Sequence, residues 1–236
     1  MSEVPLFRRR NLPHWDVPGA TYFVTACLEG SIPARGLLDL ARYRYELDAR
    51  ERPPDLTEEE WDLRRSKLEF ARLDEWLDRE PAVRWLERAE LAQLVIDSLL
   101  HFADVRYDVL ALVVMPSHFH WVFRPRDEWV ATIPVNQRYR SAREQVMHSV
   151  KGYSAGRCNR ILGRDGPFWQ SESYDHWIRD MAELERIIAY VENNPVKAGF
   201  VKEPGDWVYS SASLRKVVRL PNGYPVRGGR SPGLPE

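Results

Sequence analysis

Cysteine is scarce in this chain of 236 residues. There are two, Cys27 and Cys158, far apart and in no CxxC or Cys/His spacing that would hold zinc. That excludes a disulfide-stapled scaffold and leaves two free thiols in a reduced compartment as the simple reading. Long apolar runs are also missing. The longest aliphatic stretch, residues 109–115, falls far short of the roughly 20 residues a membrane-spanning helix needs. Arg8, Arg9 and Arg10 are followed by Asn11, Pro13, His14 and Asp16, where a secretory signal would place an apolar segment. A cytoplasmic location with no membrane partner is therefore expected. Excess charge of either sign is absent as well: 34 Lys and Arg stand against 35 Asp and Glu, a net charge of −1, so the total gives no hint of nucleic-acid binding. No internal repeat is evident.

The remaining composition, 44% hydrophobic and 29% charged, is that of a folded globular chain. Its length suits one domain with an insertion or two domains. The charge is unevenly spread: residues 1–100 carry 15 basic against 20 acidic side chains, residues 101–236 carry 19 against 15. A modest basic bias thus lies in the second part, although scattered solvated charges would produce it too.

TYFVTACL, residues 21–28, is β-branched and aromatic between Pro18-Gly19 and Gly30, and reads as a strand. Residues 35–88 change character, with many charges, no strand alternation, and apolar residues at helical spacing (Trp61, Leu68, Leu73, Trp76, Leu77). Thr57 followed by Glu60 fits a capping box. This stretch is expected to be a helical insertion, lying as a protrusion outside the catalytic layer. Residues 89–102 have one apolar helical face. YDVLALVVM reads as a buried strand, Pro116-Ser117 as a turn and HFHWVF as a second strand.

Residues 142–162 read as an amphipathic helix with Val146, Val150, Tyr153 and Ile161 inward and Arg143, Lys151, Arg157 and Arg160 outward. Residues 168–178 form an aromatic extended segment. Residues 181–194 form a further helix stopped by Pro195. From Arg219 onward Pro and Gly dominate, so residues 217–236 are expected to be a mobile tail behind a single domain spanning 1–216. The fold class expected is α+β, a ferredoxin-like antiparallel sheet with packed helices plus a helical insertion at about 35–88.

Two constellations can carry chemistry. His118 and His120 flank Phe119 in a strand, so both imidazoles project from one side about 7 Å apart along the chain and can converge on one metal ion; they equally suit the polar face of an edge strand. Tyr190 and Asn194 are four apart on a helix and share a face. A phenol is a phosphoryl nucleophile and an amide oxygen can ligate a hard cation; a half-buried aromatic and a helix-ending Asn before proline would look the same.

Taken together, MPSHFHW, FWQSESYDHWIRD and IIAYVENNPVKAGFV, in that order and preceded by LPHWDVPGATYFVT, resemble the REP-associated tyrosine transposases. These are a branch of the single-tyrosine His-hydrophobe-His (HUH) transposases of single-stranded DNA. The resemblance covers roughly residues 8–30 and 89–212; the insertion is a departure from compact relatives. It implies His118, His120 and Asn194 as ligands of Mg²⁺ or Mn²⁺ and Tyr190 as the nucleophile. It also implies nicking and rejoining of single-stranded DNA at hairpin, REP-like sequences through a 5′-phosphotyrosine link, by a monomer or homodimer.

Residues suited to hold the strand are Arg8, Arg9, Arg10, Lys151, Arg157, Arg160 and Lys197, with Trp169 a stacking candidate that more simply packs in the core. Two other classes stay open on sequence: a non-catalytic or domesticated hairpin-binding protein, and a metal-dependent phosphodiesterase in which Tyr190 is structural.

Overall fold

The computed structural model describes residues 6–9, 13–134 and 141–217. Two short strands, β1 (Leu6–Arg9) and β2 (Pro13–Asp16), pair antiparallel at the start. The main sheet has four strands: β3 (Thr21–Cys27), β4 (Tyr107–Val114), β5 (His118–Pro125) and β6 (Tyr174–Ile178). All pairings are antiparallel in the order β4-β5-β3-β6. With α3 (Ala89–Leu100) between β3 and β4 and α5 (Ala142–Leu162) between β5 and β6, the chain traces β-α-β-β-α-β. This is the ferredoxin-like arrangement within the expected α+β class.

Alternation along the strands separates two cores. On one face, Tyr22, Val24, Phe119, Trp121 and Phe123 pack against Leu91, Val95 and Leu99 of α3 and Val146 and Val150 of α5. On the other, Phe23, Val113, Met115, Val122 and Tyr174 meet Leu184 and Val191 of α6 (Met181–Lys197). A register shift between Val109 and Ala111 lets the apolar run of β4 serve both cores. Helices α4 (Asp127–Thr132) and α7 (Ser211–Val217) complete the described chain.

The segment 35–88 is helical, as its periodicity requires: α1 (Ala34–Asp48) and α2 (Glu58–Arg79) form a hairpin. Thr57 accepts from the Glu60 backbone N–H while the Glu60 carboxylate accepts from that of Thr57, the expected capping box. The hairpin does not stand outside the catalytic layer. Phe70 of α2 packs against Phe23 and Tyr174 of the sheet, stacking on Tyr174 at a ring separation of 4.0 Å. Leu77 closes over Cys27 and Ile32. The apolar face of α2 needs a partner, and the β3–β6 face supplies it.

Two helix details depart from expectation. Helix α5 has the predicted bounds, but Tyr153 and Ile161 are exposed whereas Arg143 is buried. The inner stripe is Arg143, Val146, Met147, Val150, Ser154 and Cys158. Its polar members have partners: Arg143 pairs with buried Asp175 at 3.2 Å, and Ser154 accepts from Trp169 Nε1 at 2.9 Å. Helix α6 runs two residues beyond Pro195, to Lys197. A proline in the last turn removes one N–H without ending the turn. Within 168–178 only Tyr174–Ile178 is a strand, while Phe168 and Trp169 are core residues. Residues 218–236, the expected tail, lie outside the described residues.

Gly36 of α1 allows the hairpin to close. A Cβ there would lie 2.9 Å from Ile32 Cγ2 and 3.0 Å from Trp76 Cδ2, and the Trp76 ring is tethered by its Nε1 donating to Asp39 at 2.9 Å. Gly36→Ala is expected to lower stability by about 1–3 kcal/mol in urea unfolding, the usual cost of overpacking. Gly152→Ala, with open space around its Cβ, should stabilise by up to about 1 kcal/mol through helix propensity.

Candidate active site

The pairing register places the histidines. On β5, His118 lies opposite Cys27 and His120 opposite Thr25 of β3, with Phe119 between them sent into the α3/α5 core. Both rings are buried, 1% and 0% exposed. Ser117 Oγ lies 3.0 Å from His118 Nδ1, and Thr25 Oγ1 lies 2.7 Å from His120 Nδ1. If each hydroxyl accepts an Nδ1–H, both Nε2 atoms are left with free lone pairs, the outer-shell support typical of metal-binding histidines. Those Nε2 atoms converge to 3.2 Å, about the separation of neighbouring donors around an ion at roughly 2.1 Å.

The third member of the group is Asp74 of α2, a residue the sequence reading passed over. Its ligating oxygen and those of His118 and His120 lie within 4.8 Å of one another. Asp74 Oδ1 is 3.4 Å from His120 Nε2, and Oδ2 accepts from Lys197 Nζ at 2.7 Å. Burial opposes its ionisation, but the interactions with His120 and the Lys197 ammonium outweigh burial and hold the carboxyl well below the usual carboxylate range. Burial is also the main cause that keeps His118 neutral, with His120 adding to it. A signal for Asp74 was available: Phe70, Asp74 and Asp78 recur at four-residue spacing, putting two carboxylates on the face that carries Phe70.

Helix α6 hangs Tyr190 above the same spot, its ring 5.4 Å from that of His120 and 5.9 Å from Phe23. The phenol oxygen is buried without a hydrogen bond. Burial first, then the neighbouring Asp74 carboxylate, push its pKa well above the ordinary value. Asn194 is fully buried one turn further on, and neither carboxamide atom has a hydrogen-bond partner. Asp74 Oδ1 is likewise without one. Such a concentration of unsatisfied buried polar atoms is costly unless an ion, water or substrate completes them. Imidazole nitrogens with carboxylate and amide oxygens are a donor set that fits a divalent cation.

A cleft of about 860 Å³ opens beside Tyr190 between α2 and α6, with Phe23, Phe70 and Tyr174 in its walls. Among the residues expected to hold DNA whose side chains are described, only Lys197 lines it. Lys151 Nζ donates to the carbonyls of Gln170 and Ser171 and to Ser173 Oγ at 2.6–3.2 Å, and burial pushes its pKa down to about 8. Arg157 and Arg160 are exposed on α5, across the sheet from the histidines. Arg8 and Arg9 lie in β1, and Arg10 lies outside the described residues.

Asp74→Asn should weaken Mn²⁺ binding to the DNA-free protein about 10–100-fold, and His118→Ala at least as much, by titration calorimetry. Asn194→Ala should have the smaller effect. Unchanged Mn²⁺ affinity in Asp74→Asn would remove the carboxylate from the donor set.

No protein-family model matches the chain. A Haemophilus influenzae protein provisionally named REP-associated tyrosine transposase is 27% identical over 129 residues, covering 54% of this chain and 70% of that relative. The Escherichia coli K12 REP-associated tyrosine transposase is 28% identical over 110 residues, 46% of this chain and 56% of that relative, little more than half its length. The solved structure of a REP-associated tyrosine transposase bound to a REP hairpin aligns over 94% of this chain and 88% of that one, with 18% identity and a TM-score of 0.48. Among the described residues no helix is long and apolar enough to cross a membrane. In sequence, the chain is similar to two REP-associated tyrosine transposases.

Proposed function

We propose that this protein is a transposase and endonuclease of single-stranded DNA that nicks and rejoins strands at hairpin sequences through Tyr190. The observation that carries this is the meeting of a buried His118–His120 pair with a buried, hydrogen-bond-free phenol in one aromatic-walled cleft.

Tyr190 Oη attacks the scissile phosphorus. The bond to the leaving 3′ oxygen breaks as the bond to Oη forms, the phenolic proton is given up and the 3′ oxygen gains one. The products are a 5′-phosphotyrosine link and a free 3′-OH, and the conserved phosphodiester lets the reverse step rejoin a strand. His118, His120, Asp74 and Asn194 would hold Mg²⁺ or Mn²⁺, which supplies electrostatic stabilisation to charge developing on the transferring phosphate. Thr25 and Ser117 keep the two imidazoles oriented for that purpose. Phe70, Tyr174 and Phe23 form the apolar wall of the cleft, a lining compatible with unpaired bases. The protein would work in the cytoplasm as a monomer or homodimer, with hairpin DNA as partner.

The test is incubation of labelled single-stranded hairpins with protein and Mn²⁺, read on a denaturing gel. The wild type should form a covalent adduct at the 5′ side of the nick. Tyr190→Phe should form none, a loss of at least about 10³-fold given that a nucleophile is removed, while keeping its fold and hairpin binding. An adduct in the Phe variant would transfer the role to another residue. Cleavage without any adduct in the wild type would favour simple hydrolysis.

A further inference from the structure

Lys197 lies seven residues after Tyr190 on α6, two helical turns on and on the same face. Its Nζ is 5.7 Å from the centre of the Tyr190 ring. The ammonium is held from the opposite side of the cleft by two carboxylates of α2, Asp74 Oδ2 at 2.7 Å and Asp78 Oδ2 at 2.8 Å. Both acids are buried, with side chains 4% and 7% exposed, whereas Lys197 is 46% exposed. A second tie crosses from α2 to α6 at Lys67–Glu183, 2.8 Å. Between the two ties Phe70 is wedged among Phe23, Tyr174 and Tyr190.

As a structural staple this is poorly balanced. Two buried carboxylates share one ammonium, so the desolvation of the second is not offset by a charge of its own. As an arrangement around a phosphodiester it has a clear meaning. A strand brought to Tyr190 would find Lys197 occupied and two like charges beside it. The carboxylate oxygens present to the ammonium what non-bridging phosphate oxygens would present: acceptors carrying negative charge.

We propose that Lys197 seats the scissile phosphodiester beside Tyr190 and that Asp78, together with Asp74, holds this seat in the strand-free protein. Arrival of a single strand exchanges the carboxylates for a phosphate on Lys197 and parts α2 from α6 at the Lys197 and Lys67 ties, while Asp74 stays with the His118–His120 pair. The inference rests on the reading of Tyr190 as nucleophile toward DNA. It gives the α1–α2 hairpin a part in that reaction: an acidic cover displaced by substrate.

The test is fluorescence anisotropy of a labelled unstructured oligothymidylate, in EDTA so that cleavage does not contribute. Asp78→Asn should bind about tenfold tighter, equivalent to about 1.4 kcal/mol, and Lys197→Ala should bind more weakly than wild type. Glu59→Gln, on the exposed first turn of α2, removes the same charge away from the ammonium and should change affinity little. Equal gains in Asp78→Asn and Glu59→Gln would mean a general charge effect and overturn the proposal.

A second variant tests the movement itself. Lys67→Cys with Glu183→Cys, joined by a reducible bis-methanethiosulfonate linker, should lose oligonucleotide binding when joined and regain it after reduction. Equal binding in the joined and reduced forms would also overturn the proposal. The adduct assay on the wild type reports on Tyr190 independently. An adduct with unaltered binding in Asp78→Asn keeps the nucleophile and sinks the exchange.

Discussion

The antiparallel register between β3 and β5 is the constraint on which the site depends. Setting Thr25 against His120 and Cys27 against His118 directs both imidazoles to the α6 face and brings a hydroxyl to 2.7 Å from one of them. A slip of one residue would exchange the faces. The histidines would then enter the α3/α5 core and Phe119 and Trp121 would face the cleft. The register is held because Phe119, Trp121 and Phe123 are fully buried on the other side, so the apolar core specifies the polar site.

Helix α2 adds to this frame a layer that the six-element fold does not require. It contributes an aromatic wedge and two acids to a face already furnished with histidines and a tyrosine. The electrostatic result is a site in balance with itself: Asp74 faces His120 on one side and Lys197 on the other. Burial and Asp74 together keep the Tyr190 phenol protonated in this arrangement. If Tyr190 is the nucleophile, as proposed, this arrangement holds it in its least reactive form.

Much of this was legible in the sequence where one residue's role is local. The strand alternation around His118 and His120, the capping box at Thr57 and the α+β order follow from periodicity and end signals. The roles of His118, His120 and Tyr190 came from motif resemblance, and the structure brings those three together. What was not legible depends on contacts between distant segments. Asp74 lies 44 residues before His118, in a stretch whose charge suggested a solvated protrusion, and only tertiary packing turns its acids inward. Arg143 was misplaced outward because its partner Asp175 sits on a strand 32 residues away. Pro195 looked like a helix stop because its effect on one hydrogen bond was taken for an effect on the whole turn.

The arginines of the hairpin have a consequence for how the protein meets its partner. Arg42, Arg44, Arg65 and Arg72 are each paired with acids of the same hairpin, so their fields cancel within a few ångströms of the surface. With a net charge of −1 and the hairpin's arginines paired, the protein projects little attraction over distances beyond the Debye length of about 8 Å in physiological salt. Encounter with DNA is then governed by ordinary diffusion and docking, at about 10⁵–10⁷ M⁻¹s⁻¹, rather than by long-range steering. On the proposed reading, discrimination falls to the step after collision, where a strand either fits the aromatic-walled cleft or leaves.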